Sequence, residues 1–94
     1  MNYDFTEQRF PPEIASGVAG RMRERRREHR LTQAELAQKS GVSLASLRRF
    51  EKTGEISLRS LLKLAIAMKC EADFDTLFAR KHYRSIQEVI DERR

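Results

Sequence analysis

Two adjacent arginines, Arg48 and Arg49, are the side chains in this sequence best suited to chemistry with a polyanion. They lie in the stretch SLASLRRFEK, and helical spacing places Leu44 and Ala45 on the same side of that stretch. A guanidinium group can donate two parallel hydrogen bonds to O6 and N7 of guanine, and small apolar groups can contact the methyl group of thymine. This side carries no acid, so the spacing predicts a helix face suited to the major groove of DNA.

The opposite side of the same stretch is apolar, because Leu47 and Phe50 lie together there with the small Ser46 between them. Ser43 precedes the pattern and is a good N-cap, from which its hydroxyl group could also reach a base or a phosphate. A solvated surface helix with one exposed leucine is the alternative interpretation. For Leu44 alone that alternative is the better one, but the four residues of the outer side together favour DNA.

These residues lie in the second of two predicted helices, which are both capped and are joined by a tight corner. Thr32 and Glu35 form a capping box, in which the hydroxyl accepts from a first-turn amide and the carboxylate accepts from the backbone of the cap. Gly41 suits the left-handed residue that ends the first of these helices, and Val42 fills the corner. Periodicity and caps predict an all-α fold with helices at residues 12–29, 33–39, 44–52, 58–69 and 74–79.

The two ends of the chain have weaker patterns. Residues 1–11 are predicted to be a flexible arm, residues 12–79 the folded domain and residues 80–94 a C-terminal extension. Ser85 and Glu88 make a further capping box in the extension, which favours a last short helix. A strand over the same segment is the second choice.

The chain has a net charge of +5, which favours a polyanionic partner. Taken alone, this charge is explained equally well by a well-solvated surface. Residues 21–30 contain six arginines and two glutamates. Some of these arginines can pair with the glutamates within the helix, and others can contact phosphate. Pairing on a solvated face is the favoured interpretation for this segment.

Several function classes have no support in the sequence. Cys70 is the only cysteine, and the two histidines join no cluster with metal-ligand spacing. No phosphate loop or nucleophile–base pair is present, so we expect no enzymatic activity, no cofactor and no metal. No apolar run is long enough to cross a membrane, and the first ten residues are unlike a secretion signal, so a cytoplasmic protein is expected.

The stretch LTQAELAQKSGVSLASLRRFEKTGE closely resembles the helix-turn-helix of the XRE or Cro/CI family, the lambda-repressor-like DNA-binding domains. The resemblance covers about residues 14–78 and places the helix-turn-helix at about 32–52. It implies a five-helix fold in which the helix from Leu44 reads the DNA.

Residues at positions matched to relatives acquire roles from this resemblance. It implies that Gln33 contacts a phosphate and supports the reading helix, and that Arg59 lies near the edge of the groove. It also implies an internal salt bridge between Arg26 and Glu51. The predicted DNA-binding residues are Gln33, Ser43, Leu44, Ala45, Ser46, Arg48, Arg49, Lys52 and Arg59.

The sequence departs from the family pattern at a few positions. Leu44 and Ala45 stand where relatives often carry glutamine or another long polar side chain, so direct hydrogen bonding rests more on the nearby serine and the two arginines. Arg30 stands where relatives usually have glycine, so the end of the first helix is expected to differ. Arg25 replaces a common apolar residue, which predicts a more exposed side of that helix.

The favoured function is a sequence-specific DNA-binding regulator that represses its own operon as a dimer on a palindromic operator. A dimer is expected because one domain of this size buries too little surface for tight, specific binding. The dimer or partner surface is predicted from apolar residues near the C-terminus, namely Phe74, Leu77, Phe78, Ile86, Val89 and Ile90. Completion of the monomer core is an equally good role for Phe74 and Leu77.

Two alternatives use the same fold. Small chains of this family with a C-terminal extension are similar to HipB-type antitoxins, which bind a kinase-like toxin and repress their own promoter. A pure protein-interaction module would instead bury Leu44 in a partner and would not depend on Arg48 and Arg49.

Overall fold

The structure is a computed structural model that describes residues 9–81, 90 and 91. This part of the chain contains helices and no strand, as the all-α prediction requires. The elements are α1 (Pro11–Glu28), α2 (Gln33–Ser40), α3 (Leu44–Thr53), α4 (Leu58–Ala67) and a 3₁₀ helix, Glu71–Asp75. No helix among the described residues is long and apolar enough to span a membrane.

Residues 9–71 form one compact unit, and residues 72–81, 90 and 91 belong to a second. In the first unit, α1 packs on α3, and α2 packs on both α3 and α4. The largest fully buried side chains come from α2, α3, α4 and the residue after α4: Leu36, Leu47, Phe50, Leu64 and Met68. This arrangement buries one side of α3 and leaves the other side available.

Two helices, α2 and α3, each end at a glycine in the left-handed conformation. Gly41 follows α2 with φ 79°, and Gly54 follows α3 with φ 81°. A Cβ atom at Gly41 would meet nothing within 4 Å, whereas one at Gly54 would lie 2.9 Å from the backbone carbon of Ala15. Gly54 therefore serves both the turn and the close approach of α1.

The end of α1 carries an arginine in a conformation that glycine adopts most easily. Arg30 has φ 57°, and its backbone N–H donates to the carbonyl oxygen of Arg27 at 2.9 Å. The N–H of Leu31 donates to the carbonyl oxygen of Arg26 at 3.1 Å, so two of the last carbonyl oxygens of the helix have partners beyond its end. The arginine that stands where relatives usually have glycine thus holds a left-handed backbone conformation that is costly for a residue with a Cβ atom.

The prediction of a fifth α-helix at residues 74–79 is wrong. Asp73, which directly precedes this range, lies inside the 3₁₀ helix, and its carbonyl oxygen accepts a hydrogen bond from Thr76 Oγ1 at 3.1 Å. Phe78 has φ 61°, which an α-helix does not allow. So short a segment gains too few hydrogen bonds to offset helix nucleation, and its Asp and Thr side chains favour local turns.

The predictions for the chain ends fall largely outside the described residues. Residues 1–8 of the predicted arm lie outside the described residues. So do residues 82–89 of the extension, where a helix or a strand was predicted and which include Ile86 and Val89. The described part places Pro11 inside α1, so the helix begins one residue before the predicted start.

Candidate nucleic-acid interface

The first helix of the interface, α2, begins at the predicted capping box. Thr32 Oγ1 accepts a hydrogen bond from the backbone N–H of Glu35 at 3.1 Å, and the Glu35 carboxylate accepts one from the backbone N–H of Thr32 at 2.9 Å. The hydrogen bonds with the backbone and then the side chain of Thr32 lower the pKa of Glu35. The carboxylate therefore stays ionised at the helix N-terminus, where a negative charge is favourable.

The second helix, α3, begins at the predicted cap, Ser43. Its hydroxyl oxygen accepts from the backbone N–H of Ser46 at 3.1 Å, and the same hydroxyl donates to Ser46 Oγ at 2.8 Å. Both serines are exposed. The Ser43 hydroxyl is thus committed to the helix, while Ser46 keeps its own hydroxyl proton for an outside acceptor.

The outer side of α3 is formed by small and basic side chains. Ala45, Arg48 and Arg49 are exposed, and the predicted inner residues Leu47 and Phe50 are 0% and 1% exposed. The separation of α3 into an apolar inner side and a basic outer side is therefore as the spacing predicted. The outer side presents two guanidinium groups and a methyl group, the groups expected for contact with base edges.

Leu44 was predicted to lie on the outer side of α3, and this prediction is only partly correct. It is half-buried and packs against the hydrophobic core. Leu44 follows the corner at Val42, which is buried, so an apolar side chain in the first turn of α3 reaches the core from there. A leucine at this position thus has a structural role, and only part of its side chain is available to a ligand.

A buried ion pair fastens α3 to α1, at the two residues for which the family resemblance implied one. Arg26 Nε donates to Glu51 Oε2 at 2.8 Å, and Arg26 Nη2 donates to Glu51 Oε1 at 2.9 Å. Arg26 Nη1 also donates to the carbonyl oxygen of Leu31 at 2.9 Å. The two residues are 9% and 7% exposed, so this bidentate pair sets the position of α3 from below.

Two further side chains converge on the same glutamate. Gln33 Nε2 donates to Glu51 Oε1 at 3.2 Å, and Arg23 Nη2 donates to the backbone carbonyl oxygen of Glu51 at 2.8 Å. Burial acts to raise the pKa of Glu51, but the hydrogen bonds from Arg26 and Gln33 and the charges of Arg26 and Arg23 outweigh it and lower the pKa. Gln33 thus links α2 to α3, the supporting part of its predicted role.

An open cavity of 290 Å³ lies beside this network and is strongly basic. Its lining consists of Arg23, Arg26, Arg27, Gln33, Arg48, Glu51 and Lys52. The charges of Arg26 and Glu51 offset each other in the bidentate pair. Arg27, Arg48 and Lys52 have no acid partner among the described residues, so they give the cavity its positive charge. A phosphate group is the kind of ligand that such a cavity attracts.

The second arginine of the outer side has an acid partner that the sequence analysis did not foresee. Arg49 Nη2 donates a hydrogen bond to Glu55 Oε2, from the turn after α3. Both residues line a second cavity of 240 Å³, together with Ser46, Ile56, Ser57 and Ser60. The outer side of α3 is therefore not free of acids once the following turn is included.

The remaining basic residues divide between exposed pairs and free positions. Arg25 pairs with Glu28 at 2.7 Å and with Glu24 at 3.6 Å, on the exposed side of α1 that its sequence predicts. Arg59 is exposed in the first turn of α4 and lines neither cavity. Its predicted position near the edge of the groove therefore stays a prediction.

Phosphate contact was the less favoured interpretation for the arginines of α1, and no individual arginine was assigned to it. Arg23 and Arg27 face α3, whereas Arg25 points to the solvated side. Their spacing of four residues places them on one side of the helix, together with Arg26. That spacing was a usable signal, but α1 could be assigned to the site only once its packing against α3 was seen.

Comparison with protein families shows which family the chain matches. A family model described as Helix-turn-helix matches residues 22–74, which is more than half of the chain and contains α2, α3 and α4. The chain has no match among curated proteins or among solved structures.

Proposed function

The chain belongs to the XRE family of helix-turn-helix proteins, which are DNA-binding transcription regulators, and from this premise we propose that it is a sequence-specific repressor of its own operon. It acts as a dimer on a pseudo-palindromic operator, with α3 in the major groove of each half-site. The surface of α3 and the residues around it support this proposal.

The observation that carries the proposal is the outer side of α3. Arg48 is exposed there, next to Ala45, and has no acid partner in the part of the chain that the structure describes. An unpaired guanidinium at this position is ready to donate to a guanine edge without first breaking an ion pair. The apolar inner side and the buried Arg26–Glu51 pair hold the helix rigid beneath it.

The basic cavity supports a second kind of contact. Arg27 and Lys52 lie beside Arg48 but extend from different positions, one on α1 and one near the end of α3. Contacts of this kind to the phosphate backbone set the orientation of a protein on DNA, while base contacts give the sequence preference. We therefore assign Arg27 and Lys52 to the backbone and Arg48 to the bases.

Dimerisation is assigned to the apolar residues after α4. Leu77 and Phe78 are 54% and 95% exposed, Phe74 is half-buried and Ile90 is 45% exposed. Such large exposed apolar groups on a small domain are typical of a surface that a second chain covers. In a dimer the two reading helices would lie about 34 Å apart, one helical turn of DNA.

Selection of bound fragments from a pool of random duplexes tests the proposal most directly. A sequence-specific dimer enriches two inverted half-sites with a fixed spacing. Arg48→Ala should weaken binding to the enriched duplex by about tenfold or more, because a guanine contact is lost. Lys63→Ala, on the exposed surface of α4, is the matched control because it removes the same charge.

The outcomes separate the proposal from its alternatives. No enrichment, or equal effects of the two substitutions, would contradict sequence-specific reading by α3. Unchanged function after both Arg48 and Arg49 are changed to alanine would support the protein-interaction module instead. If light scattering shows a monomer at micromolar concentration, the dimer is contradicted. The exposed apolar residues would then be better explained as a binding surface for a toxin, as in the antitoxin alternative.

A further inference from the structure

Arg49 is held by an acid, whereas the neighbouring Arg48 is not. The Glu55 carboxylate accepts a hydrogen bond from the Arg49 guanidinium, and the two side chains are 62% and 68% exposed. No described acid pairs with Arg48. Two adjacent arginines on one helix face are therefore in different electrostatic states before any ligand arrives.

The turn after α3 positions Glu55 independently of this ion pair. Thr53 Oγ1 donates to the backbone carbonyl oxygen of Arg49 at 2.7 Å and accepts from the backbone N–H of Glu55 at 3.1 Å. Gly54 supplies the left-handed residue, and its N–H donates to the carbonyl oxygen of Phe50 at 2.8 Å. These backbone contacts bring the acid back alongside the last turns of the reading helix.

The pair is suited to exchange rather than to stability. Both groups are well solvated, so little free energy is lost when another acceptor replaces the carboxylate. A phosphate must compete with Glu55 for Arg49 and is also repelled by its negative charge. A guanine edge carries no net charge and offers two acceptors in line with the guanidinium, so it is penalised less.

We infer that Glu55 is a specificity-determining residue, which occupies Arg49 against phosphate and so suppresses binding to non-specific DNA. The inference rests on the proposed function, because it assumes that α3 lies in a groove. A non-specific duplex offers Arg49 phosphates at every position but a guanine edge in register only by chance, whereas an operator with guanine at the matching position always offers that edge. Discrimination is the difference between these two affinities, and Glu55 lowers the first more than the second.

The test compares Glu55→Gln with Glu28→Gln in the full chain. Glu28 is a matched control, because it is also an exposed acid paired with an arginine and its loss raises the net charge equally. Fluorescence anisotropy measures binding to the duplex enriched by selection and to a scrambled duplex of equal length, over a range of salt concentrations. Circular dichroism melting confirms that each variant is folded.

Glu55→Gln should raise the affinity for the scrambled duplex by about three- to tenfold, and steepen its salt dependence by about one released ion. The enriched duplex should gain less, so the ratio of the two affinities falls. Glu28→Gln should change both duplexes equally and by less than about threefold. In an Arg49→Gln background, Glu55→Gln should act no differently from Glu28→Gln.

Two results would overturn the inference while leaving the proposed function intact. One is a wild-type chain that discriminates between the duplexes and a Glu55→Gln variant that matches the Glu28→Gln control. The other is an unchanged effect of Glu55→Gln in the Arg49→Gln background, which would mean that the acid acts without Arg49. A wild-type chain that binds neither duplex would overturn the proposed function itself.

Discussion

The two ion pairs made by α3 and its following turn use the same chemistry in opposite surroundings. Arg26 and Glu51 have side chains that are 11% and 4% exposed, and each makes a further hydrogen bond besides their bidentate contact. Arg49 and Glu55 have side chains that are 68% and 62% exposed. The first pair cannot be broken without leaving a charge buried, whereas the second gives up its partner at little cost. One pair therefore serves the fold, and the other is available for function.

The largest expected effect comes from breaking the buried pair. Glu51→Ala should lower the free energy of unfolding by about 3–5 kcal/mol, because Arg26 is left buried without a counter-charge. Urea unfolding followed by circular dichroism measures the change. Since a domain of this size has only about 5–15 kcal/mol to lose, Glu51→Gln provides a milder second variant. Full stability in both variants would contradict a structural role for the pair.

Acid should reveal the same pair without mutation. The pKa of Glu51 is lowered in the folded chain, so the folded state binds its proton less readily than the unfolded state does. The resulting stabilisation is present above the ordinary pKa of glutamate and is lost as the pH falls through the lowered value. The free energy of unfolding of the wild type, measured with urea, should therefore decrease below about pH 5.

Glu51→Gln is the control for this pH dependence, because Glu35 also has a lowered pKa and its contribution remains in the variant. The wild type should lose more stability than Glu51→Gln between neutral and acid pH. Parallel curves for the two proteins would show that Glu51 does not titrate differently in the folded state.

The smallest expected effect is at the exposed pair. Glu55→Ala should change the free energy of unfolding by less than about 1 kcal/mol, because water solvates both groups when they separate. Urea unfolding measures it beside Glu51→Ala, the matching deletion at the buried pair. A loss comparable to that of Glu51→Ala would remove the distinction between the two pairs.

Local patterns in the sequence were sufficient for most of the fold. The capping box at Thr32, the glycine at residue 41 and the cap at Ser43 all depend on contacts within about one helical turn, and each was placed as the structure has it. The inner residues of α3 were also predicted, because a long apolar pair at helical spacing has few other places to go. The prediction of an α-helix at residues 74–79 was wrong because the segment is too short for its apolar periodicity to stabilise a helix.

The candidate site was only partly predictable. The outer arginines of α3 could be identified from spacing, and Arg26 and Glu51 were paired only by resemblance to a family. The half-burial of Leu44 depends on how the corner at Val42 packs. The contribution of α1 to the basic cavity depends on its contact with α3, across a stretch of chain that no local pattern spans.

The sequence by itself determined where α2, α3 and α4 begin and which side of α3 is apolar, because caps and periodicity act over neighbouring residues. The predicted end of α4 at residue 69 is two residues too late, since the helix ends at Ala67. Only the tertiary structure decided which charges are paired and which are free. Arg48 and Arg49 are identical neighbours in the sequence, and they differ because the turn through Gly54 returns an acid to one of them. Electrostatic partners are set by distance in space, which a helical pattern does not encode.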